Sequence, residues 1–216
     1  NPVTQDWTLL PLAGPANRMG RIVADNLAGR ATVWKGALGT SIVKVFDMTA
    51  GGTGANEKTL LRDKIAYQKV YLHPGQHAGY YPGATPLHLK VLFAPDSGKL
   101  LGAQVVGFGG VDKRIDVMAM ALAAGMSIED LQDVELAYAP PYGSAKDPVN
   151  MAGFIGGNMR KGDIAVWYAE DFPARTADGV VLDVRGAGDF EVGHVPGALN
   201  IPLHEIRSRV KELPAG

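Results

Sequence analysis

A chain of 216 residues is long enough for one or two domains, and its 46% apolar and 20% charged content is typical of a globular protein. A formal net charge of −1 argues against a molecule that is drawn as a whole to nucleic acid or to an acidic membrane surface. The sequence has no cysteine, which excludes disulfides, cysteine-ligated zinc and thiol catalysis within these residues and suits a cytoplasmic location. No apolar run approaches the roughly 20 residues that a membrane-spanning helix needs.

The first third of the chain predicts a helix, a strand, a second helix and a second strand. Proline fits the first turn of a helix and glycine fits just past its end, so Pro15 and Gly29 predict the limits of the first helix. The alternating β-branched residues of 40–50 predict one strand. Residues 54–63 predict a short helix, and 64–73 predict another strand.

The middle of the chain predicts a hairpin followed by helices. Residues 86–94 and 99–108 have the pattern of two strands, joined by a turn that contains Asp96 and Gly98. The further predicted elements are a helix over 112–126, a short helix from Ser127 and a helix begun by Asp147 and Pro148. Because strands come first and helices follow, and no G-x-G-x-x-G motif occurs, we predict an α+β fold with an antiparallel sheet.

The composition changes near residue 155, where the Gly-rich, polar stretch "GGNMRKGD" predicts a linker over 155–166. Residues 167–216 then have strand–helix–strand–helix order, which is typical of the start of an α/β unit. A segment of about fifty residues with two or three elements is too short to bury a stable core. We therefore expect this second domain to be cut off at Gly216.

Four motifs occur in a fixed order: "LAGPANRMGRIVADNLAG", "HAGYYPGA", "VDKRIDV" and "AYAPPYGSAKDPVNMAGF". Over residues 3–160 the chain resembles the flavin-dependent pyridine nucleotide–disulfide oxidoreductases. The resemblance is to coenzyme A disulfide reductase in particular, and to its relatives fused to a rhodanese domain. The stretch "VVLDVRGAGDFEVGHVPGALNIP" similarly resembles the first half of a rhodanese domain.

This resemblance implies a domain division. Residues 1–30 would end an FAD-binding domain, 31–154 would form the dimerisation domain of a homodimer, 155–166 the linker, and 167–216 a truncated N-terminal half of a rhodanese domain. The parent would be a reductase that uses FAD and NAD(P)H on a small-molecule thiol or disulfide substrate with a coenzyme A moiety. These ligands would be held mainly by N-terminal domains. The redox cysteine and the rhodanese cysteine would both lie outside this chain.

The start of the first helix is the first predicted site. Its unpaired N–H groups and dipole favour an anion, and the resemblance implies that Pro15 and Ala16 face the flavin, with Asn17 against coenzyme A. The alternative is that this stretch is only a helix entry, with Asn17 as a polar surface residue.

Two tyrosines, Tyr80 and Tyr138, are the second predicted site. A phenol can donate a hydrogen bond or a proton to a departing thiolate. The resemblance implies that both reach the partner subunit's thiol site and that Tyr138 also approaches FAD. The alternative is that both rings only pack a dimer interface. Tyr81 and Tyr142 are not expected to be principal groups.

Charged residues complete the predictions. Lys146 suits a phosphate of coenzyme A, although a solvated lysine before a helix is the alternative. Asp183 and Arg185 end the first strand of the second domain and are expected to be scaffold. Lys113 and Arg114 are expected to belong to a charged surface or to an intersubunit salt-bridge set, with a structural role in either case.

No metal site is expected. His73 and His77 are four residues apart, but a Pro-Gly step between them breaks the helix that would align them as ligands.

Two other functions stay open from the sequence. The chain can be a dimerisation module without catalysis of its own, or part of an NADH oxidase or peroxidase of the same superfamily. The tyrosine pair and the rhodanese-like tail favour the disulfide or persulfide reductase over the oxidase.

Overall fold

A computed structural model describes residues 1–176 and 179–213, in two compact units that are divided between Ile164 and Ala165. The helices and strands of the first unit are α1 Ala13–Leu27, β1 Ser41–Val45, β2 Met48–Gly54, α2 Glu57–Arg62, β3 Gln68–Leu72, β4 Leu87–Phe93, β5 Leu100–Gly107, α3 Val111–Ala124 and α4 Pro148–Lys161. A 3-10 turn, Asp130–Gln132, precedes α4.

The first unit is built on a five-stranded antiparallel sheet with the strand order β1-β2-β5-β4-β3. One face of the sheet packs against α3 and α4. The core between them consists of fully or nearly fully buried side chains from both layers, among them Val70, Leu89, Val91, Val105, Ile115, Met118 and Val149. This architecture confirms the predicted α+β fold with an antiparallel sheet.

The opposite face of the sheet, here called the outer face, carries Val43, Ala50, Val106, His88 and Tyr71. Strand pairing places Val43 opposite Ala50, Ala50 opposite Val106, and Val106 opposite His88. Because side chains alternate along a strand, these residues point away from the buried core. They are exposed or half-buried.

Helix α2 is fastened to the edge of the sheet by one carboxylate, that of Glu57. This carboxylate accepts hydrogen bonds from the Tyr67 hydroxyl at 2.6 Å, from the Lys69 ammonium at 2.9 Å and from Lys90. Partial burial acts to raise the pKa of Glu57, but the hydrogen bonds from Lys90, Tyr67 and Lys69 outweigh it and hold the pKa at about 2.

The single strand predicted over 40–50 is wrong, because this segment is a hairpin. Strand β1 ends at Val45, and β2 begins at Met48 and pairs with it. Phe46 occupies the turn with a left-handed φ of 51° and is 93% exposed. A phenylalanine there continues the alternating apolar pattern through the turn, and no glycine marks the reversal.

The second unit contains α5 Phe172–Thr176, β6 Leu182–Asp183, α6 Ala187–Val192, β7 Leu199–Asn200 and α7 Ile206–Arg209. Strands β6 and β7 pair in parallel, with α6 between them along the chain, as strand–helix–strand order requires. Each strand has two half-buried residues, so β6 is shorter than the buried strand predicted from "GVVLDVRG". Helix α4 covers residues 155–161 of the predicted linker, and the division between the units falls within 155–166.

Among the described residues, the helices are too short or too polar for any of them to span a bilayer.

Candidate functional site

The hydroxyl oxygens of Tyr80 and Tyr138 lie 3.0 Å apart and share a hydrogen bond, although 58 residues separate them in sequence. Both side chains are open to solvent, with 77% of Tyr80 and 46% of Tyr138 exposed. The structure therefore brings together the two tyrosines that the sequence singled out. We call them the tyrosine pair.

Two loops carry the tyrosine pair, and they are joined backbone to backbone. The loop after β3 holds Tyr80, and the loop before α4 holds Tyr138. The amide N–H of Ala78 in the first loop donates to the carbonyl of Gly143 in the second at 2.8 Å. Two successive prolines follow Tyr138 at 140 and 141, and fixed φ angles restrict the second loop.

Arg114 fastens both loops to the core. Its guanidinium donates to the Gln76 carbonyl at 2.9 Å in the first loop, and to both carboxylate oxygens of Asp147 at 3.3 and 2.8 Å in the second. The side chains of Arg114 and Asp147 are only 1% and 4% exposed. Fork-shaped pairing of this kind fixes orientation as well as distance. The burial of Arg114 contradicts the charged-surface alternative for this residue, while its contacts within the chain are structural, as expected.

Asp147 has a second task at the start of α4. Its carboxylate accepts a hydrogen bond from the Val149 N–H at 3.0 Å, and the Asn150 side chain accepts one from the Asp147 N–H at 3.3 Å. This is a reciprocal capping box, and Pro148 begins the helix where no N–H is needed. The cap is visible in the sequence, whereas the buried arginine partner is not, because 33 residues separate it from Asp147.

The hydrogen bond within the tyrosine pair alters the acidity of one phenol. The bond to Tyr80 raises the pKa of Tyr138 above its ordinary value, and a small loss of hydration acts in the same direction. Tyr138 therefore stays a protonated hydrogen-bond donor at neutral pH. A pair of coupled phenols can pass a hydrogen bond to an anion placed beside it.

The neighbouring tyrosines are placed differently. Tyr81 packs edge-on against the ring of His77 with a centroid distance of 5.7 Å, and His77 is buried with its Nδ1 3.0 Å from the Ala78 carbonyl. Tyr142 is 73% exposed, and its N–H donates to the Ala139 carbonyl at 2.8 Å. Of these four tyrosines, Tyr80 and Tyr138 are the two whose hydroxyls hydrogen-bond to each other.

Lys146 lies beside a different feature, an open cleft of about 570 Å³ next to α4. Its ammonium lies 5.0 Å from the ring centroid of Phe154, within the range of a cation–π contact. The cleft is lined mainly by apolar side chains, including Leu72, Met151 and Ile155.

The start of α1 differs from the prediction by two residues. The helix begins at Ala13, so Pro15 is its third residue and has no N–H, and the Ala16 N–H already donates to the Leu12 carbonyl at 3.2 Å. The unpaired N–H groups of this helix end therefore lie at Ala13 and Gly14. Asn17 lies in the second turn, exposed, and its amide donates to the Ala13 carbonyl at 2.9 Å.

In the second unit, Asp183 and Arg185 form a local ion pair with the guanidinium 2.6 Å from the carboxylate. Hydrogen bonds from Arg185 lower the pKa of Asp183. The Asn200 amide donates to the carbonyls of both residues at 3.0 Å and so ties β7 to the end of β6. These contacts fix the conformation of the end of β6.

The first unit is an α+β module with an antiparallel sheet and two helices on one face. It presents the two phenols of the tyrosine pair at its surface, on adjoining loops. The family model for the pyridine nucleotide-disulphide oxidoreductase dimerisation domain matches residues 40–148, just over half of the chain. The chain belongs to this family.

Several proteins are similar to it. The coenzyme A disulfide reductase of Staphylococcus haemolyticus is 47% identical over 146 residues, which are 67% of this chain and 33% of that protein. The crystal structure of reduced Bacillus anthracis CoADR-RHD superposes with a TM-score of 0.95 at 47% identity, over 99% of this chain and 39% of that one. An NAD-dependent persulfide reductase from A. fulgidus gives a TM-score of 0.89 at 37% identity, over 98% and 38%.

A water-forming NADH oxidase from Lactobacillus brevis, at 20% identity with a TM-score of 0.71 over 76% of this chain and 36% of that one, shares the fold alone. The chain spans about a third of the length of the curated relatives it matches.

Proposed function

We propose that this chain is the interface-forming part of an FAD- and NAD(P)H-dependent reductase of coenzyme A disulfide, persulfide or polysulfide, which works as a homodimer in the cytoplasm. The relatives named above support the reaction class. The hydrogen-bonded tyrosine pair is the observation that carries the proposal, because it gives the chain a defined chemical group to contribute.

The role proposed for the tyrosine pair is to receive a thiolate. Reduction of an S–S bond releases sulfur as an anion, and a phenol O–H beside that sulfur can donate a hydrogen bond or a proton to it. The raised pKa of Tyr138 keeps its proton in place at neutral pH. One phenol donates to the other, and the second directs its own hydrogen to the sulfur.

We further propose that the tyrosine pair serves the thiol site of the partner subunit. The exposure of both rings supports this role, since a side chain that completes a neighbour's site must be presented at the surface. The rigid anchoring of both loops by Arg114 supports it too, because preorganised donors lose little freedom when the anion arrives.

The residues at the start of α1 fit a contact to flavin. Within residues 1–176, no side chain caps the N-terminus of this 15-residue helix and no acidic residue lies in its first turn. Its N–H groups and dipole are therefore available to an electron-rich ring edge. When bound, the flavin supplies a group that can accept a hydride and pass its two electrons on to sulfur. Pro15 and Ala16 would contact it through van der Waals packing, with Tyr138 near its ring.

Asn17 and Lys146 are proposed to contact coenzyme A. Lys146 supplies a positive charge beside an open cleft, which suits a phosphate group. Asn17 is exposed on α1, where its amide can turn from its own helix to a ligand.

Residues 167–216 are proposed to belong to a rhodanese-like domain. The parallel pairing of β6 and β7 around α6 supports an α/β start. Asp183 and Arg185 would be scaffold in it.

The test uses a full-length protein that carries this chain, with oxidation of NADH and of NADPH followed in the presence of coenzyme A disulfide, a persulfide, polysulfide or peroxide. We expect turnover with the sulfur substrates and a fall in kcat of about 100-fold in Tyr138→Phe and Tyr80→Phe. Tyr142→Phe is the matched control. The proposal fails if peroxide is the preferred oxidant, or if both variants keep full kcat.

A second measurement addresses the chain by itself. Its mass in solution is measured by light scattering, and its flavin content by absorbance after purification. A dimer without flavin and without NADH oxidation would agree with a contribution made in trans. A strictly monomeric full-length protein would contradict it.

A further inference from the structure

We propose that His73 and His88 form a binding site for a divalent transition metal, Cu²⁺ or Zn²⁺, on the outer face of the sheet. This site is independent of the proposed reductase function. Two imidazoles converge there although 15 residues separate them in the sequence.

The register of the sheet sets the two histidines against each other. Leu72, the last residue of β3, pairs with Leu89 of β4, so the next position along each strand brings His73 opposite His88. Their Nδ1 atoms lie 2.7 Å apart, the ring centroids are 4.9 Å apart and the ring planes are inclined by 60°. Both side chains are exposed.

This geometry is close to that of two ligands on one metal ion. Metal–nitrogen bonds of about 2.0–2.1 Å place two adjacent imidazole nitrogens about 2.9–3.4 Å apart, depending on the coordination angle. A separation of 2.7 Å needs only a small opening of the rings to admit the ion. His73 directly follows β3, where Leu72 pairs with Leu89, and the Leu87 N–H donates to the Pro74 carbonyl at 2.8 Å on the other side of it. The backbone therefore already holds the two ligands together, and little ordering is required.

The protonation balance of binding is simple. In the hydrogen-bonded pair one Nδ1 carries a proton and donates a hydrogen bond, and the other Nδ1 accepts that bond. When the metal binds, the donor ring moves its proton to Nε2 by exchange with water, and both Nδ1 lone pairs face the ion. Two neutral imidazoles therefore bind without net proton release.

The small number of nearby ligands limits the metal affinity of the site. Within residues 1–176 and 179–213 no group of three or more His, Cys, Asp or Glu side chains is placed to hold a metal ion. Water must therefore complete the coordination. Lys90 lies two residues beyond His88 on the same strand, but its ammonium is paired with Glu57. We expect affinity in the micromolar range, with Cu²⁺ bound more tightly than Zn²⁺.

The site would act on the loop that carries Tyr80. His73 follows the last residue of β3 and begins this loop, and β4 starts at Leu87 on its far side. A metal held by both histidines cross-links the two ends of the loop. Binding to the folded state alone raises stability by mass action.

The experiment uses the purified 216-residue chain after chelator treatment. Cu²⁺ is titrated and followed by calorimetry and by electron paramagnetic resonance, and Zn²⁺ by its effect on the Tm. We expect one ion per chain, nitrogen hyperfine structure in the Cu²⁺ spectrum, and a rise in Tm of about 5 °C at a hundredfold excess of Zn²⁺ over its Kd.

His73→Gln and His88→Gln should each weaken Cu²⁺ binding at least about tenfold and abolish the Zn²⁺-dependent rise in Tm. His204→Gln is the matched control, since His204 is an exposed histidine of the second unit, 3.5 Å from Glu205, and its loss should change neither readout. Circular dichroism verifies that the variants fold. Cu²⁺ binding of unchanged strength in a variant that carries both His73→Gln and His88→Gln, or loss of binding in His204→Gln, overturns the proposal.

Discussion

A single hydrogen bond from Tyr80 raises the pKa of Tyr138. The pKa of Tyr138 therefore depends on whether the Tyr80 hydroxyl lies beside it. The two loops that carry the rings meet through backbone and through Arg114, so the bond depends on contacts far from either hydroxyl. An acid–base titration can therefore detect whether the tyrosine pair forms in solution.

Replacing Tyr80 by Phe removes the partner that raises the pKa of Tyr138, so that pKa should fall toward its ordinary value of 10.0. Spectrophotometric titration of tyrosinate absorbance, as a difference between variant and parent, measures the change. Tyr142→Phe, which removes a tyrosine outside the tyrosine pair, should leave the pKa of Tyr138 unchanged. An unchanged pKa for Tyr138 in Tyr80→Phe would show that the rings do not bond.

Glu57 is expected to contribute to the free energy of unfolding in a way that depends on pH. Because folding lowers its pKa from 4.5 to about 2, its contribution is complete above pH 4.5 and is lost as the pH falls toward 2. Glu57→Gln should lower the free energy of unfolding by about 1–2 kcal/mol at pH 7, allowing for solvent screening of a partly exposed group. Urea unfolding at several pH values measures this difference.

The difference between the Glu57→Gln variant and the parent should narrow steadily below pH 4.5. Glu135→Gln, a change at an exposed carboxylate, serves as the control and should cost little at any pH. A constant gap across the acid range would mean that the lysine and tyrosine contacts contribute nothing through charge.

At the scale of elements, the sheet and α2 meet at a glycine. A Cβ built on Gly102 of β5 would overlap the carbonyl of Ala55, which precedes α2, so the backbones approach too closely for any side chain. The amide of Ala55 donates to the Leu101 carbonyl at 2.8 Å and fixes this approach.

Gly102→Ala should therefore destabilise the protein by about 2–3 kcal/mol, because the backbone must shift to relieve the overlap. Gly20→Ala is the matched control, since it lies inside α1 with nothing within 4 Å of its Cβ position. This change should stabilise α1 by about 0.5–1 kcal/mol. Thermal unfolding measures the change in stability of both variants. Equal changes in Gly102→Ala and Gly20→Ala would contradict the close approach of the backbones at Gly102.

The elements that the sequence predicts well are those with local signals. Helix α4 is marked by Asp147 and Pro148 at its start, and the β4–β5 hairpin by Asp96 and by Gly98, whose φ of 71° requires a left-handed residue. The β1–β2 turn at Phe46 escapes prediction because an apolar aromatic residue occupies it.

The candidate site is less predictable, since it depends on contacts between distant segments. The motifs identify Tyr80 and Tyr138 through family resemblance, but no local pattern requires their hydroxyls to meet. The burial of Arg114 and the pairing of His73 with His88 likewise follow from the sheet register and from loop packing, neither of which is written into a short stretch of sequence.

The whole molecule is uneven in its packing. The first unit buries an extensive core between the sheet and two helices, whereas the buried apolar side chains described in the second unit are Ile201 and Pro202, beside strands of two residues each. Burial of apolar area provides most of the stability of a fold. The two units should therefore open at different free energies.

Hydrogen exchange followed by mass spectrometry tests this expectation. Amides of β4 and β5 should exchange only through global unfolding of the first unit, with protection factors at least about a thousandfold above those of β6 and β7. Val91, a fully buried residue of β4, offers a convenient reference. Equal protection in both units would mean that the short parallel pair belongs to a larger cooperative structure.

The double duty of Asp147 restricts how this surface can be transplanted. One carboxylate both starts α4 and holds the guanidinium that braces the loops of the tyrosine pair. A designer who moves the two phenols to another scaffold must carry the arginine, the aspartate and the first turn of the helix with them. Grafts of the two loops without that brace should yield a protein with phenols at the right places in the sequence and the wrong places in space.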